Sequence, residues 1–285
     1  MKKCVFFAAA LMLAACSQDA NDEIVNSQLS TVNSQEVTLT FSPYEVTQMS
    51  APSRRAATNI SNIVTHLDVW IYESGTEVVA VHQTDATAGF GTITATLDKT
   101  KTYTLYAVGH KADGATLTDG VIAFTDDKVT HAMYYSTTFS PGTTTNLNCE
   151  MSRIVAQFKF ATTDQCPNTV TKMTFTINGV YDRWSVTSGA SHQLNRTSTF
   201  ENFTKHNDGT VEFNIFAVVT DAQTTHDVTV TAYDANDGVI QQRTFTDVPL
   251  RNGYKTTYRG TFFIDTPTTA SFTINDWNSY ETVDF

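Results

Sequence analysis

The sequence predicts an all-β protein of the β-sandwich class. Apolar and polar side chains alternate in many short segments, of which residues 37–41 and 67–72 are typical, and this period of two turns one face of a strand toward a core. No long stretch of the sequence shows the period of an amphipathic helix. Turn-forming residues recur between the segments, as at Asn178-Gly179 and Arg251-Asn252-Gly253. Short strands with such turn signals are typical of antiparallel sandwiches.

The first element is an export signal. Lys2 and Lys3 precede an apolar run over residues 5–13, which is shorter than the ~20 residues that a membrane-spanning helix needs. A positive start, a short apolar run and small residues before a cleavage point describe a secretory signal peptide, here residues 1–15.

Cys16 follows this signal directly, in the sequence Leu13-Ala14-Ala15-Cys16. These residues resemble the lipobox of bacterial lipoprotein precursors. The resemblance implies that Cys16 is diacylated on its sulfur, becomes the new N-terminus and holds the protein at the outer membrane. The alternative is an ordinary signal peptide cut near Ala15, followed by an incidental cysteine.

A polar tether over residues 16–35 comes next. Its acidic start, residues 17–23, resembles the tag that directs Bacteroidetes lipoproteins to the outer face of the outer membrane, and the alternative is a solvated spacer. Removing residues 1–15 takes away Lys2 and Lys3 and no acid, so the formal charge changes from −11 to −13. We expect no binding to the phosphates of nucleic acids.

The remaining body is long enough for two domains of ordinary size. The breaker-rich stretch from Ser140 to Thr145 precedes a new alternating segment over residues 151–160. We therefore predict an N-terminal β-sandwich over residues 36–148 and a C-terminal one over residues 149–285, with helical turns confined to the region of residues 126–135. Four phenylalanines within alternating segments are the predicted core of the second domain: Phe158, Phe175, Phe213 and Phe262.

The body offers little chemistry for catalysis. Its seven histidines are scattered without ligand spacing, and no GxSxG or CxxC motif is present, so we predict no enzyme activity, no cofactor and no metal site. Cys149 and Cys166 either form one disulfide or serve as small core residues. The three tryptophans could stack on sugars, but isolated tryptophans on strands are more often core residues, and Trp184 is the best placed of the three to be exposed.

Several landmarks together resemble the fimbrillin superfamily of Bacteroidales. They are, in order, the lipobox, the tether and strand 37–41, the loop with Arg54-Arg55-Ala56, the hairpin around Glu73-Ser74-Gly75, the segment Met151-Ser152-Arg153-Ile154-Val155-Ala156, and the stretch Val248-Pro249-Leu250-Arg251-Asn252-Gly253 with a late Trp277. Each motif is weak alone, and their order over nearly the whole mature chain carries the resemblance.

This resemblance implies two tandem transthyretin-like antiparallel β-sandwich domains and a place in a type V pilus at the cell surface. The partners would be other pilus subunits, joined by strand donation and serving adhesion. An arginine-specific protease would cut near Arg54 and Arg55 and release the first strand, whereas an anchor subunit would remain uncut and keep its lipid. Stalk, tip and anchor roles stay open, and the alternative function is that of a surface glycan-binding lipoprotein.

Overall fold

The computed structural model describes residues 33–44, 59–264 and 272–276. Within them lie strands β1 to β17 and two 3-10 turns, Ile60–Asn62 and Thr125–Asp127. The strands of the first half are β1 Ser34–Pro43, β2 His66–Glu73, β3 Thr76–Thr84, β4 Thr92–Asp98, β5 Tyr103–His110, β6 Ala115–Thr118, β7 Val121–Phe124, β8 Ala132–Phe139 and β9 Asn146–Arg153. Those of the second half are β10 Val155–Thr162, β11 Lys172–Ser185, β12 Gly189–Glu201, β13 Glu212–Val218, β14 Thr224–Tyr233, β15 Val239–Leu250, β16 Tyr254–Gly260 and β17 Phe272–Asp276. No helix in these ranges has the length and apolarity needed to cross a bilayer.

The first sheet has the strand order β3-β2-β5-β8-β9-β1-β4. Its middle is thin, because β8 and β9 share only the pairs Met133 with Arg153 and Tyr134 with Ser152. The strands on both sides of the β8–β9 pairing turn their apolar faces into one core. Its largest fully buried members are Leu39, Ile60, Leu67, Ile71, Leu105, Met133 and Met151.

The second sheet has the order β15-β14-β11-β13-β10-β16-β17, and β12 pairs with β11 beside this path. Its core is rich in aromatic rings: Phe160 contacts four of them, Phe175, Phe245, Tyr258 and Phe262, at ring-centroid distances of 5.2–6.2 Å. Edge-to-face and offset aromatic pairs add to the free energy gained from burial alone.

A hairpin joins the two sheets. Strand β7 pairs with β6 and also with the far end of β11, where Val121, Ile122 and Ala123 face Ser185, Trp184 and Arg183. A third apolar cluster lies around this join and draws on both halves of the chain: Trp70, Val108, Ala112, Ile122, Phe124, Val129, Ala132, Ile154, Val155 and Val218.

The structure confirms the predicted all-β class and the four predicted phenylalanines of the core. Phe158, Phe175, Phe213 and Phe262 are each at most 4% exposed. Period-two alternation identified Phe158, Phe175 and Phe213 because alternate residues of β10, β11 and β13 enter one core, and Phe262 enters the same core just after the end of β16. The hairpin at Ser74-Gly75 also forms as predicted, with positive φ angles of 49° and 85°.

Three local predictions need correction or completion. Asn178-Gly179 does not end a strand but makes a bulge inside the long strand β11, between Ile177 and Val180. Residues 126–135 hold only the end of a 3-10 turn and the start of β8, because Ala132 and Met133 are buried by sheet pairing. Cys149 and Cys166 are both free and buried, as small core residues.

Candidate functional site

The first described strand lies in the interior of its sheet. Strand β1 pairs antiparallel with β4, from Ser34 opposite Asp98 to Thr40 opposite Thr92. On its other side it pairs parallel with β9, from Thr38 opposite Asn146 to Pro43 opposite Met151. A strand with partners on both sides satisfies two rows of backbone groups, so its removal would expose both.

Side chains of β1 fill the core from one face only. Val37 and Leu39 are fully buried and Phe41 is 4% exposed, whereas the polar residues between them point outward. Burying three such side chains contributes about 1.5–3 kcal/mol each. Without β1, the first sheet would present a long apolar groove between β4 and β9.

Both ends of this groove are held by hydrogen bonds outside the regular ladder. The Thr38 amide donates to the Thr145 carbonyl at 2.9 Å, and the Tyr44 amide donates to the Met151 carbonyl at 2.8 Å. Between them the Phe41 amide donates to the Gly91 carbonyl at 2.8 Å. The backbone therefore keeps β1 in register over its whole length.

Gln83 fixes the turn that receives Phe41. Its side-chain oxygen accepts from the Gly91 amide at 3.0 Å, and its side-chain nitrogen donates to the Thr92 carbonyl at 2.9 Å. Gly91 has φ +87°, and a Cβ atom there would lie 2.8 Å from the Ile60 side chain, so glycine is required on both counts. Gln83 and Gly91 thus shape the turn whose carbonyl accepts the Phe41 amide.

The walls of the groove are chemically inert. Ile93, Ala95 and Leu97 of β4 and Met151 of β9 are apolar and buried. Burial raises the pKa of the Cys149 thiol to about 12, so this cysteine stays protonated and acts as a small apolar side chain. Such walls recognise a strand by its alternating apolar side chains and its backbone, which is what strand exchange requires.

The predicted site residues Cys16, Arg54 and Arg55 lie outside the described residues. Trp277, the last landmark of the resemblance, lies outside them as well. The described residues end at Tyr44, directly after β1, and begin again at Asn59. The structure therefore places the strand itself but not its predicted anchor or cleavage loop.

Trp184, the tryptophan best placed by sequence to be exposed, is partly buried. Its ring packs in the third apolar cluster, 5.7 Å from the ring of Tyr134, and Gly189 closes over its edge. Trp70 is only 8% exposed in the same cluster. The hairpin strand β7 explains the difference, because its pairing with β11 covers a surface that local sequence leaves open.

The sequence did not predict one polar cluster. Asp68, His82 and His110 come from three neighbouring strands, and both carboxylate oxygens of Asp68 contact a histidine nitrogen, at 2.7 Å and 2.6 Å. These residues are distant in sequence, so only the cross-strand register could have revealed them. Among the described residues no group of three or more His, Cys, Asp or Glu side chains is arranged to hold a metal ion.

Comparison with known proteins gives one match to a family and several to solved structures. The family described as fimbrillin-A associated anchor proteins Mfa1 and Mfa2 matches residues 29–282. A search of curated proteins returned no match.

Two of the similar solved structures bear on the fold. A candidate adhesin from Bacteroides ovatus is 14% identical, with 84% of this chain and 96% of that chain covered and a TM-score of 0.51. The fimbrial anchor protein Mfa2 from Porphyromonas gingivalis is 12% identical, with 86% and 98% covered and a TM-score of 0.50. At these identities the likeness is one of fold.

Proposed function

Because the chain belongs to the family of fimbrillin-A associated anchor proteins Mfa1 and Mfa2, we propose that it is a non-enzymatic fimbrial lipoprotein of a type V pilus that serves adhesion. It is held at the outer face of the outer membrane by lipid on Cys16 and associates with other pilus subunits by strand donation. Residues 36–148 and 149–285 form its two transthyretin-like sandwiches. Two separate apolar cores, drawn from residues 37–151 and 156–262, support two such units, with Cys149 and Met151 in the first core just beyond the proposed boundary.

The observation that carries the proposal is the position of β1. It follows the proposed lipid-bearing tether in the sequence, has one apolar face and lies between β4 and β9. The strand that bears the lipid is thus also the strand whose loss would open a site for a neighbour.

Cleavage near Arg54 and Arg55 would decide between two roles. The uncut chain keeps β1 in the groove and its lipid in the membrane, which suits an anchor at the base of the pilus. The cut chain loses both and can accept a strand from another subunit. Sequencing the N-terminus of protein recovered from the cell surface distinguishes them: acylated Cys16 supports the anchor, and a free Arg55 or Ala56 supports the accepting subunit.

Strand acceptance can be tested directly. A chain that begins at Ala57 is refolded with a synthetic peptide of residues 34–44, and binding is measured by fluorescence anisotropy. We expect binding of this peptide and at least tenfold weaker binding of a peptide with Leu39→Asp, because a carboxylate cannot enter the apolar groove unpaired. Equal binding of the two peptides, or no binding to a folded truncated chain, would contradict strand exchange.

The filament role is tested in cells. Electron microscopy of cells with and without the gene, and with Cys16→Ala, is expected to show loss or release of surface filaments in both altered strains. Unchanged attached filaments in both would rule out the fimbrial role. No described tryptophan offers an exposed ring for the alternative of glycan binding.

A further inference from the structure

The cluster around Asp68 lies where the first sheet meets the hairpin β6–β7. Asp68 and His110 are 6% and 0% exposed. The His110 ring is covered edge-on by Phe124, the last residue of β7, at a centroid distance of 5.6 Å. Its Nδ1 lies 3.1 Å from the carbonyl oxygen of Ala112, in the connection that leads to β6. His110 therefore contacts both sides of the join.

The hydrogen bonds fix the number of protons in this cluster. His110 Nε2 lies 2.6 Å from Asp68 Oδ2, and His110 Nδ1 faces the Ala112 carbonyl, which can only accept. Both contacts require a proton, so the His110–Asp68 pair holds two. With two protons the pair has no net charge, and both of its residues are buried.

His66 lies face to face with His110. Its ring is stacked on that of His110 with a centroid distance of 5.4 Å and an angle of 9° between the planes, and its Nδ1 is 3.0 Å from the Thr65 hydroxyl. His82 lies 5.6 Å away on the other side and contacts Asp68 through Nδ1. Protonation of His66 would thus place a full positive charge against a buried ring whose two nitrogens are already hydrogen-bonded.

We propose that His66, His110 and Asp68 form a proton-operated latch, in which neutral His66 keeps the hairpin β6–β7 seated and proton uptake by His66 loosens it. The hairpin matters because β7 pairs with β11 of the second sheet, while the chain on either side of the hairpin leads to β5 and β8 of the first sheet. Acid would weaken this join before it unfolds either core. The latch responds to the proton, and its loosening changes the packing of the third apolar cluster.

The charges that face His66 support this direction. Its pKa is lowered from 6.5, first by burial, then by His110 and His82, against smaller opposing effects of Asp68 and Asp85. The unfolded chain therefore binds more protons at this position than the folded chain does below pH 6.5. The stabilisation is complete above that pH and is lost as the pH falls through the titration of folded His66.

The test compares the full mature chain with His66→Gln, which keeps a polar side chain beside Thr65 but cannot take up a proton. His206→Gln is the matched control, because His206 is exposed in the connection between β12 and β13. Thermal unfolding midpoints are measured at pH 7.5 and 5.5. We expect the midpoint of the parent chain and of His206→Gln to fall by at least about 2 °C more than that of His66→Gln.

A second measurement locates the effect and does not depend on any variant. Amide hydrogen exchange of the parent chain, corrected for the intrinsic effect of pH, is followed at pH 7.5 and 5.5. We expect protection in β6 and β7 to drop at least threefold at pH 5.5 while protection in β14 stays unchanged. Equal pH dependence in the parent and His66→Gln, or uniform loss of protection in all strands, would overturn the latch.

Discussion

Strands β1 and β10 occupy equivalent places in the two halves of the molecule but are buried differently. Strand β1 pairs antiparallel with β4 and parallel with β9, and β10 pairs antiparallel with β13 and parallel with β16. Apart from β17, the parallel partners β9 and β16 are the last strands of their halves. In β1 only alternate residues are buried, whereas seven of the eight residues of β10 are buried.

The outer face explains the difference. In β10 it carries Val155, which joins the third apolar cluster, and Gln157, whose amide donates to the Asn214 side chain. The outer face of β1 carries threonine and serine, and no described residue covers it in this way. The same pairing geometry therefore gives one strand that is buried on one face and one that is buried on both.

The largest expected effect is that of truncating β10. Phe158→Ala removes a ring that is 1% exposed at the centre of the second core, and we expect a loss of about 3–5 kcal/mol in the free energy of unfolding. Urea denaturation measures this loss. The control is Lys159→Ala, at the one position of β10 that is not buried, with an expected loss of less than about 1 kcal/mol. Equal losses for the two would mean that the faces of β10 are assigned wrongly.

A smaller loss with a different signature is expected in β1. Leu39→Ala removes a fully buried side chain, which costs about 2–4 kcal/mol, while Thr40→Ala on the outer face costs less than about 0.5 kcal/mol. Hydrogen exchange sharpens the contrast. We expect Leu39→Ala to deprotect β1 and its partners first, and Phe158→Ala to deprotect the whole second core; a global loss with Leu39→Ala would argue against a replaceable strand.

Just after β10, a carboxylate accepts hydrogen bonds from a neighbouring stretch of backbone. The described residues show no counterpart of this carboxylate after β1. Asp164 is 6% exposed and accepts the backbone amides of Phe262, Phe263 and Ile264 at 2.7–2.9 Å. Asp164→Asn replaces one acceptor oxygen by a donor, so we expect a loss of about 1–3 kcal/mol in urea denaturation. The control is Asp247→Asn, at an exposed position where asparagine tolerates the positive φ of 55°. A loss no larger than the control's would show that other contacts hold this segment.

The smallest effect concerns pH at the start of β10. His131 packs on Phe216 of β13 at 4.5 Å, and burial together with Arg153 and Lys111 lowers its pKa to about 3. The unfolded histidine titrates near 6.5, so stability is complete above that pH and falls by about 1 kcal/mol per pH unit below it. His131→Gln is expected to reduce the slope between pH 6.5 and 5.5. An unchanged slope would mean that His131 is protonated in the folded chain.

Local sequence predicts the strands of this protein well and their partners poorly. Leu39 and Phe158 were recognisable as core residues because alternation is a property of neighbouring residues. The bulge at Asn178-Gly179 was not, since the same dipeptide suits a hairpin turn and a bulge, and only the pairing of β11 on both sides decides between them.

The candidate site was predicted in part for the same reason. The sequence indicates that residues 37–41 form a strand, and it is confirmed within Ser34–Pro43. Its parallel pairing with β9 is contact between distant parts of the chain, and no local pattern encodes it. The pairing of Asp68 with His110 across β2 and β5 is equally remote.

The parallel contact between β1 and β9 also sets the order in which the molecule can be completed. Thr38 cannot meet Asn146 until all the intervening chain has been synthesised, so β1 is made before its partner strands and is seated late. During that interval Val37, Leu39 and Phe41 have no core to enter. An apolar strand without its groove is a target for chaperones and a hazard for premature pairing between nascent copies.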